Sequence, residues 1–225
     1  KSDNDESFLA QDVLYNSDIS INVQRITSLS ENHIGLFITA DEVNGIPFSS
    51  ALGALFENKK GETLLGKYLE KAVWKNLELP NNSDQKLFIE IPALNHETLF
   101  LQQFLTALSR DTDVLPKDLV LLVPETVITS DYEGVYRVIV SLRELGFNIG
   151  ISQFGTGYSS FSYLQRFEFS YLFIDSSFLK NTDSADEDDI ILRAICNLTD
   201  SLKIISGIDC VESIEEIDLL KNAGC

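Results

Sequence analysis

Residues 147–160 read FNIGISQFGTGYSS, and they give the clearest indication of the fold. Its first five residues form a largely apolar run typical of a buried strand, and a Gly-Thr-Gly turn follows almost at once. Just upstream, apolar residues at helical spacing run from Val135 to Leu145 and end at Gly146, a typical C-terminal breaker of a helix. The order helix, strand, turn predicts one unit of a sheet whose strands are joined by helices.

The same alternation continues along the chain. Further strand-like runs lie at residues 19–23, 34–38, 87–91, 119–123 and 171–174. Helix-like apolar stripes lie at residues 64–77, 99–108, 186–202 and 213–220. Apolar strands separated by helices favour a parallel sheet covered by helices. The periodicity fits an open doubly wound sheet and a closed barrel equally, and the first two strands have no helix between them.

Length and composition favour one soluble domain. The 225 residues suffice for a single α/β barrel, and 44% hydrophobic with 23% charged residues is ordinary for a globular protein. Residues 1–18 are rich in Asp, Asn and Ser and predict a linker, whereas residues 19–225 predict a single domain that was excised from a larger protein. No apolar run is long enough to cross a bilayer. We therefore expect no membrane insertion and a cytoplasmic domain, either free or as part of a membrane-anchored protein.

Charge and cysteine usage exclude some classes of partner and site. The net charge of −18 argues against nucleic-acid binding, which needs clustered Lys and Arg. The three cysteines, Cys196, Cys210 and Cys225, have no paired spacing and predict reduced thiols. Cys196 falls on an apolar helix face, so we expect it in the core.

Several segments together resemble one known family. Residues 152–160, SQFGTGYSS, resemble the DDFGTGYSS signature of EAL domains, bacterial phosphodiesterases that cleave cyclic di-GMP. Residues 171–179, YLFIDSSFL, resemble YLKIDRSFV, and residues 201–213, SLKIISGIDCVES, resemble SLGLKVVAEGVET. The resemblance runs from about residue 23 to 225 and implies a modified TIM-type (β/α)8 barrel with an antiparallel first strand. It stops before the family's final QGY segment, so the last strand is expected to be missing or replaced.

The resemblance implies that the family's metal-binding positions carry other residues here. The glutamate of the EAL motif corresponds to Phe37, and the asparagine of VNLS to Glu90. The first glutamate of EITE corresponds to Leu122. The two aspartates of DDFGTG correspond to Ser152 and Gln153. Phe37 and Leu122 have no ligand atoms for Mg²⁺ or Mn²⁺, and Ser152 and Gln153 are neutral.

Charged positions of the family also differ. The arginine that grips a substrate phosphate corresponds to Asp41. The lysines of LKID and KVVAEG correspond to Phe173 and Ile205, and the glutamate after the second lysine to Asp209. Retained acids, which are candidates for ligand binding, are Glu125, Asp175 and Glu212. Retained loop residues, which the resemblance assigns to a dimer surface, are Phe154, Gly155, Thr156, Gly157 and Tyr158.

These substitutions lead us to expect a catalytically inactive EAL-like domain without a metal cofactor. Two-metal phosphodiester cleavage needs several oxygen ligands, and too few carboxylates remain. We expect a regulatory module that binds a protein partner, with a homodimer as one possible assembly. Cyclic di-GMP is predicted to be a doubtful ligand, because Asp41 and Glu90 would give the pocket an acidic wall. The alternatives are a cyclic di-GMP receptor that does not hydrolyse and, ranked last, an active phosphodiesterase.

Overall fold

The computed structural model describes most of the predicted domain. The described residues are 19–29, 33–55, 59–74, 85–92, 94, 98–111, 114–156, 162–180, 185–208 and 211–224. The predicted linker, residues 1–18, lies outside them. No helix in the described part of the chain has both the length and the apolar composition that a bilayer span requires.

One sheet forms the centre of the domain. Its strands are β1 (Ile19–Thr27), β2 (His33–Val43), β3 (Ile46–Pro47), β4 (Lys86–Glu90), β5 (Leu119–Pro124), β6 (Asn148–Phe154), β7 (Tyr171–Ile174) and β8 (Ile205–Ile208). The spatial order is β1-β2-β4-β5-β6-β7-β8, and the short β3 pairs with β2. β1 runs antiparallel to β2, whereas every neighbouring pair from β2 and β4 to β7 and β8 is parallel.

Helices connect the parallel strands. They are α1 (Phe48–Leu55), α2 (Lys59–Trp74), α3 (Thr98–Asp111), α4 (Glu125–Ser130), α5 (Tyr132–Glu144), α6 (Ser162–Phe167), α7 (Ser177–Lys180), α8 (Ala185–Ser201) and α9 (Ile214–Ala223). Local sequence fixes several of their ends. The Asp131 side chain accepts a hydrogen bond from Gly134 N at the start of α5. Ser213 and Glu216 form a capping box at the start of α9, and Gly224 ends that helix in the left-handed conformation.

The architecture confirms the predicted modified barrel with an antiparallel first strand. Helix–strand alternation yields a curled parallel sheet, and the pairing of β1 with β2 explains why no helix separates the first two strands. Among the described residues, no strand pairs with the outer edge of β8. The barrel is therefore open on that side, in agreement with the prediction that its last strand is missing.

Two apolar cores lie on opposite faces of the sheet. The larger one packs the outer face of the strands against the helices. The smaller one, called the inner cluster below, fills the interior of the barrel and consists of Phe37, Phe88, Val120, Leu122, Tyr171 and Phe173, with Ile26 packed against it. Because successive strand residues point to opposite faces, every second residue of a strand enters this interior.

Glycines on the adjacent strands make room for two members of the inner cluster, Leu122 and Phe173. A Cβ on Gly150 would lie 2.5 Å from Leu122 Cδ2, closer than any real contact. A Cβ on Gly207 would lie 3.1 Å from the Phe173 ring. Small residues therefore lie beside large ones on adjacent strands, which lets the large side chains fill the narrow lumen of a small barrel.

Cys196 corrects one sequence-based prediction. It is buried in α8 with an exposed fraction of 2%, which confirms its place in the core. It is also disulfide-bonded, so the prediction of a reduced thiol is wrong for this residue. The other two cysteines, Cys210 and Cys225, lie outside the described residues.

Candidate functional site

A cleft of about 440 Å³ opens where the parallel strands end. Glu90 is the last residue of β4, Pro124 the last of β5, and Gln153 lies one residue before the end of β6. Catalytic and binding residues of barrel enzymes occupy this carboxyl-terminal mouth. The cleft is therefore the candidate functional site.

The walls of the cleft are mostly neutral. Its polar side chains include Gln24, Thr39, Ser49 and Thr126. Among the described residues that line it, Glu90 has the one carboxylate, and none is a lysine or arginine. Sequence reasoning missed the four neutral residues. Thr39 was predictable from the sequence, because it lies two positions after Phe37 on the same strand and therefore points to the same face of the sheet.

Glu90 and Ser152 meet across the mouth of the barrel. Ser152 is buried, with an exposed fraction of 2%. Its hydroxyl donates a hydrogen bond of 2.8 Å to Glu90 Oε2. Burial raises the pKa of Tyr68 well above its ordinary value, and the negative charge of Glu90 raises it further. Tyr68 therefore stays protonated near Glu90 and donates to the Ile38 carbonyl at 3.1 Å. Ser152, which corresponds to the first aspartate of the family motif DDFGTG, is thus a neutral group that donates a hydrogen bond to Glu90.

Gln153 has an unusual backbone conformation. Its φ of 55° lies in the left-handed region, which non-glycine residues seldom adopt. The pairing of β6 with β7 shifts register between Ile151 and Phe154, as in a β-bulge. Such irregularities redirect a side chain, and Gln153 lines the cleft as a result.

The positions of Phe37, Leu122 and Phe173 come together in the inner cluster, at the base of the cleft. The rings of Phe37 and Phe173 stack with centroids 5.7 Å apart and planes at 19°. Phe88 meets Phe173 edge to face, also at 5.7 Å. Leu122 is fully buried. Where the family resemblance implies two glutamates and a lysine, this barrel contains one continuous apolar packing unit.

Glu125 lies outside the cleft lining, in a buried structural position. It is fully buried at the start of α4. Its Oε2 accepts a hydrogen bond of 2.8 Å from Gly155 N, and its Oε1 accepts one from the Tyr163 hydroxyl. Gly155 itself has φ of 99°, and a Cβ there would clash with the Phe178 ring. Glu125 therefore anchors the turn after β6 to α6.

Helix α6 is in turn held against α5. The Arg166 guanidinium lies over the Tyr136 ring at 4.2 Å and donates to the Glu133 carboxylate at 2.7 Å. The pKa of Glu133 is lowered, and the hydrogen bond from Arg166 is the largest cause. Tyr163, on the same short helix, is thereby kept in place as a donor to Glu125.

The other candidate residues do not line the cleft. Asp41 is exposed, and Ile205 lies at the opposite end of the barrel with an exposed fraction of 57%. Asp175 Oδ1 accepts from Ser177 N at 2.9 Å and so begins α7. Glu212 is exposed, and its backbone N–H donates to Glu216 Oε2.

Phe154 is buried and Thr156 exposed on the retained turn. Asp209, Gly157 and Tyr158 lie outside the described residues. Across the described part of the chain, no three His, Cys, Asp or Glu side chains group closely enough to hold a metal ion.

Comparison with known proteins identifies the family. The EAL domain family model matches residues 22–225. This chain belongs to the EAL domain family. This EAL domain is 26% identical over 154 residues to the cyclic di-GMP phosphodiesterase PA2567 of Pseudomonas aeruginosa, and the aligned segment covers 68% of this chain and 26% of that protein. The aligned segments make up only 14% and 16% of two other curated relatives.

Solved structures share the fold of this EAL domain. The PaMucR phosphodiesterase in complex with c-di-GMP superposes with a TM-score of 0.78 at 22% identity, covering 92% of this chain and 91% of that one. The FimX EAL domain from Pseudomonas aeruginosa, bound to c-di-GMP, superposes with a TM-score of 0.77 at 22% identity, covering 98% and 91%.

These comparisons contradict the prediction that cyclic di-GMP is a doubtful ligand, since both structural neighbours are EAL domains in complex with it. The physical premise of the prediction was also wrong. Asp41 is exposed and absent from the cleft lining, so the acidic wall expected from Asp41 and Glu90 does not form.

Proposed function

We propose that this EAL domain acts in cyclic di-GMP signalling as a regulatory domain that does not hydrolyse the nucleotide. The observation that carries the proposal is the stacking of Phe37 on Phe173 in the same apolar cluster as the fully buried Leu122. Metal ligands and a cation would have to occupy this same space in a two-metal phosphodiesterase. An apolar packing unit provides neither.

The remaining polar groups do not fit a pair of divalent cations. Mg²⁺ and Mn²⁺ prefer several hard oxygen ligands, with carboxylates to offset their charge. The described lining of the cleft supplies Glu90, whose Oε2 already accepts a hydrogen bond from Ser152. Glu125 and Asp175 bond to backbone groups outside the lining. We therefore infer that hydrolysis by the family's metal-dependent route does not occur here.

The mouth of the barrel is nevertheless suited to bind a nucleotide. A cleft of about 440 Å³ with neutral hydroxyl and carboxamide groups falls in the size range of small-molecule sites. The side chains of Gln24, Thr39 and Gln153 can hydrogen-bond to bases or ribose. The cyclic di-GMP complexes of structural neighbours support this nucleotide as the ligand. The domain would bind cyclic di-GMP without cleaving it, and the bound state would regulate a protein partner.

Two measurements on the same preparation test the proposal. The protein is incubated with cyclic di-GMP and Mg²⁺ or Mn²⁺, and the linear product pGpG is measured by chromatography, with an active EAL phosphodiesterase as positive control. We expect no pGpG above the level without protein. Titration calorimetry with cyclic di-GMP should show saturable binding that chelator does not change. Chelator-sensitive formation of pGpG would refute the loss of activity, and absence of binding would refute the role as receptor.

A further inference from the structure

Glu90 lies at the boundary between the inner cluster and the cleft. Phe88, two residues earlier on β4, belongs to the inner cluster, so Glu90 points to the same face of the sheet. Its side chain lines the cleft, and its Oε2 accepts the hydrogen bond from the buried Ser152. A carboxylate has about four acceptor positions and can therefore bind several donors at once. The hydrogen bond from Ser152 orients this carboxylate within the cleft.

The charge at this position decides which part of a nucleotide fits beside it. None of the described residues that line the cleft is a lysine or arginine, and the whole chain has a net charge of −18. A phosphate next to Glu90 would meet a like charge without a cation on the described lining to offset it. The N–H groups of a base would instead be attracted to the carboxylate. The cleft therefore favours a base, and not a phosphate, beside Glu90.

Guanine has the edge that best matches a carboxylate. Its ring N1–H and its exocyclic amino group lie side by side, and both donate. Adenine has one amino group beside a ring nitrogen that accepts, and hypoxanthine has the ring N–H without the amino group. We propose that Glu90 is the specificity-determining residue of the cleft and binds the N1–H and amino edge of one guanine of cyclic di-GMP. This inference rests on the proposed binding of that nucleotide.

The other lining residues suit the rest of the base. Phe37, Pro92 and Pro124 contribute apolar surface, against which a base plane can pack. The carboxamide of Gln153, which the left-handed backbone directs into the cleft, can donate to guanine O6 or N7. In the family resemblance the position of Glu90 belongs to a metal ligand. A base bound there needs no divalent cation.

A substitution that removes the charge tests which part of the nucleotide meets Glu90. Titration calorimetry with cyclic di-GMP compares the wild type, Glu90→Gln and the control Glu144→Gln. Glu144 is exposed at the end of α5 and does not line the cleft, and both variants change the net charge equally. We expect Glu90→Gln to weaken binding at least about tenfold and the control to leave it unchanged. Unchanged or tighter binding in Glu90→Gln would overturn the proposal, because removing a carboxylate beside a phosphate relieves repulsion.

Base analogues test the assignment without a variant. The inosine analogue of cyclic di-GMP lacks both exocyclic amino groups and keeps both ring N–H groups. We expect the wild type to bind it about tenfold more weakly than cyclic di-GMP, and the difference to fall to roughly threefold in Glu90→Gln. Cyclic di-AMP should bind more weakly still. Equal affinity of the wild type for cyclic di-GMP and its inosine analogue would refute the assignment even where Glu90→Gln fails to fold.

Guanosine separates this inference from the proposed receptor role, because it carries a base and no phosphate. Saturation-transfer NMR with millimolar guanosine should give a signal in the wild type and Glu144→Gln, and a much weaker one in Glu90→Gln. With that result, absence of cyclic di-GMP binding would refute the receptor role alone. Cyclic di-GMP binding of equal strength in the wild type and Glu90→Gln would refute the base assignment alone. No binding of either ligand would refute both.

Discussion

Replacing Phe173 with lysine is expected to lower the free energy of unfolding by at least about 4 kcal/mol. Phe173 is 7% exposed and contacts the rings of Phe37 and Phe88 at centroid distances of 5.7 Å. The substitution removes an aromatic ring from a packed interior and places an ammonium group among apolar side chains. The inner cluster consists of aliphatic and aromatic side chains, so an ammonium group among them loses much of its hydration. Urea unfolding followed by circular dichroism measures the loss.

Ile205→Lys provides the matched control. Both positions correspond to lysines in the family resemblance, and β7 and β8 are neighbours. Ile205 is 57% exposed, however, so its lysine remains in water and the change in stability should stay within about 0.5 kcal/mol. A small effect at both positions would mean that the barrel interior accommodates a cation. That result would remove the main support for an inactive site.

Replacing Glu125 with alanine is expected to destabilise the domain by about 3–4 kcal/mol. Glu125 is fully buried, and its carboxylate accepts hydrogen bonds from Gly155 N and the Tyr163 hydroxyl. Its loss leaves the buried Tyr163 hydroxyl and the Gly155 N–H without this acceptor and detaches the turn after β6 from α6. Urea unfolding gives the energy, and hydrogen exchange of the Gly155 amide should become faster.

Two further variants separate the contributions at Glu125. Tyr163→Phe removes one donor and should cost about 1–2 kcal/mol. Glu125→Gln keeps the shape and one acceptor oxygen, so its cost should fall between those of Tyr163→Phe and Glu125→Ala. The structural role of Glu125 would be wrong if alanine left both the stability and the exchange of Gly155 unchanged.

The helices and strands could be predicted from the sequence more completely than the side-chain contacts between them. Residues 171–174 form a strand with the expected bounds, because a short run of consecutive apolar residues before Asp175 is typical of a strand buried on both faces. The choice between barrel and open sheet came from the family resemblance, since periodicity reports which residues are buried and not how far a sheet curls. The capping box at Ser213 was visible because it depends on residues three positions apart.

The candidate site was predicted less completely, because its contacts join distant parts of the chain. Phe37 and Phe173 were each recognised as departures from the family pattern, yet their stacking requires the closure of several strands. Glu125 was taken as a candidate ligand residue, and nothing local indicates that Gly155 and Tyr163 surround it. Asp41 was expected in the pocket wall, whereas the end of β2 leaves it exposed.

Manganese binding tests the absence of a metal centre most directly. Free Mn²⁺ is followed by electron paramagnetic resonance during titration of the protein, with Glu90→Gln as the matched variant because Glu90 is the carboxylate on the described cleft lining. The acidic surface will retain some Mn²⁺ weakly in both proteins. We predict that the two titrations coincide. About two tightly bound Mn²⁺ ions per domain, lost in Glu90→Gln, would contradict the proposal of an inactive EAL domain.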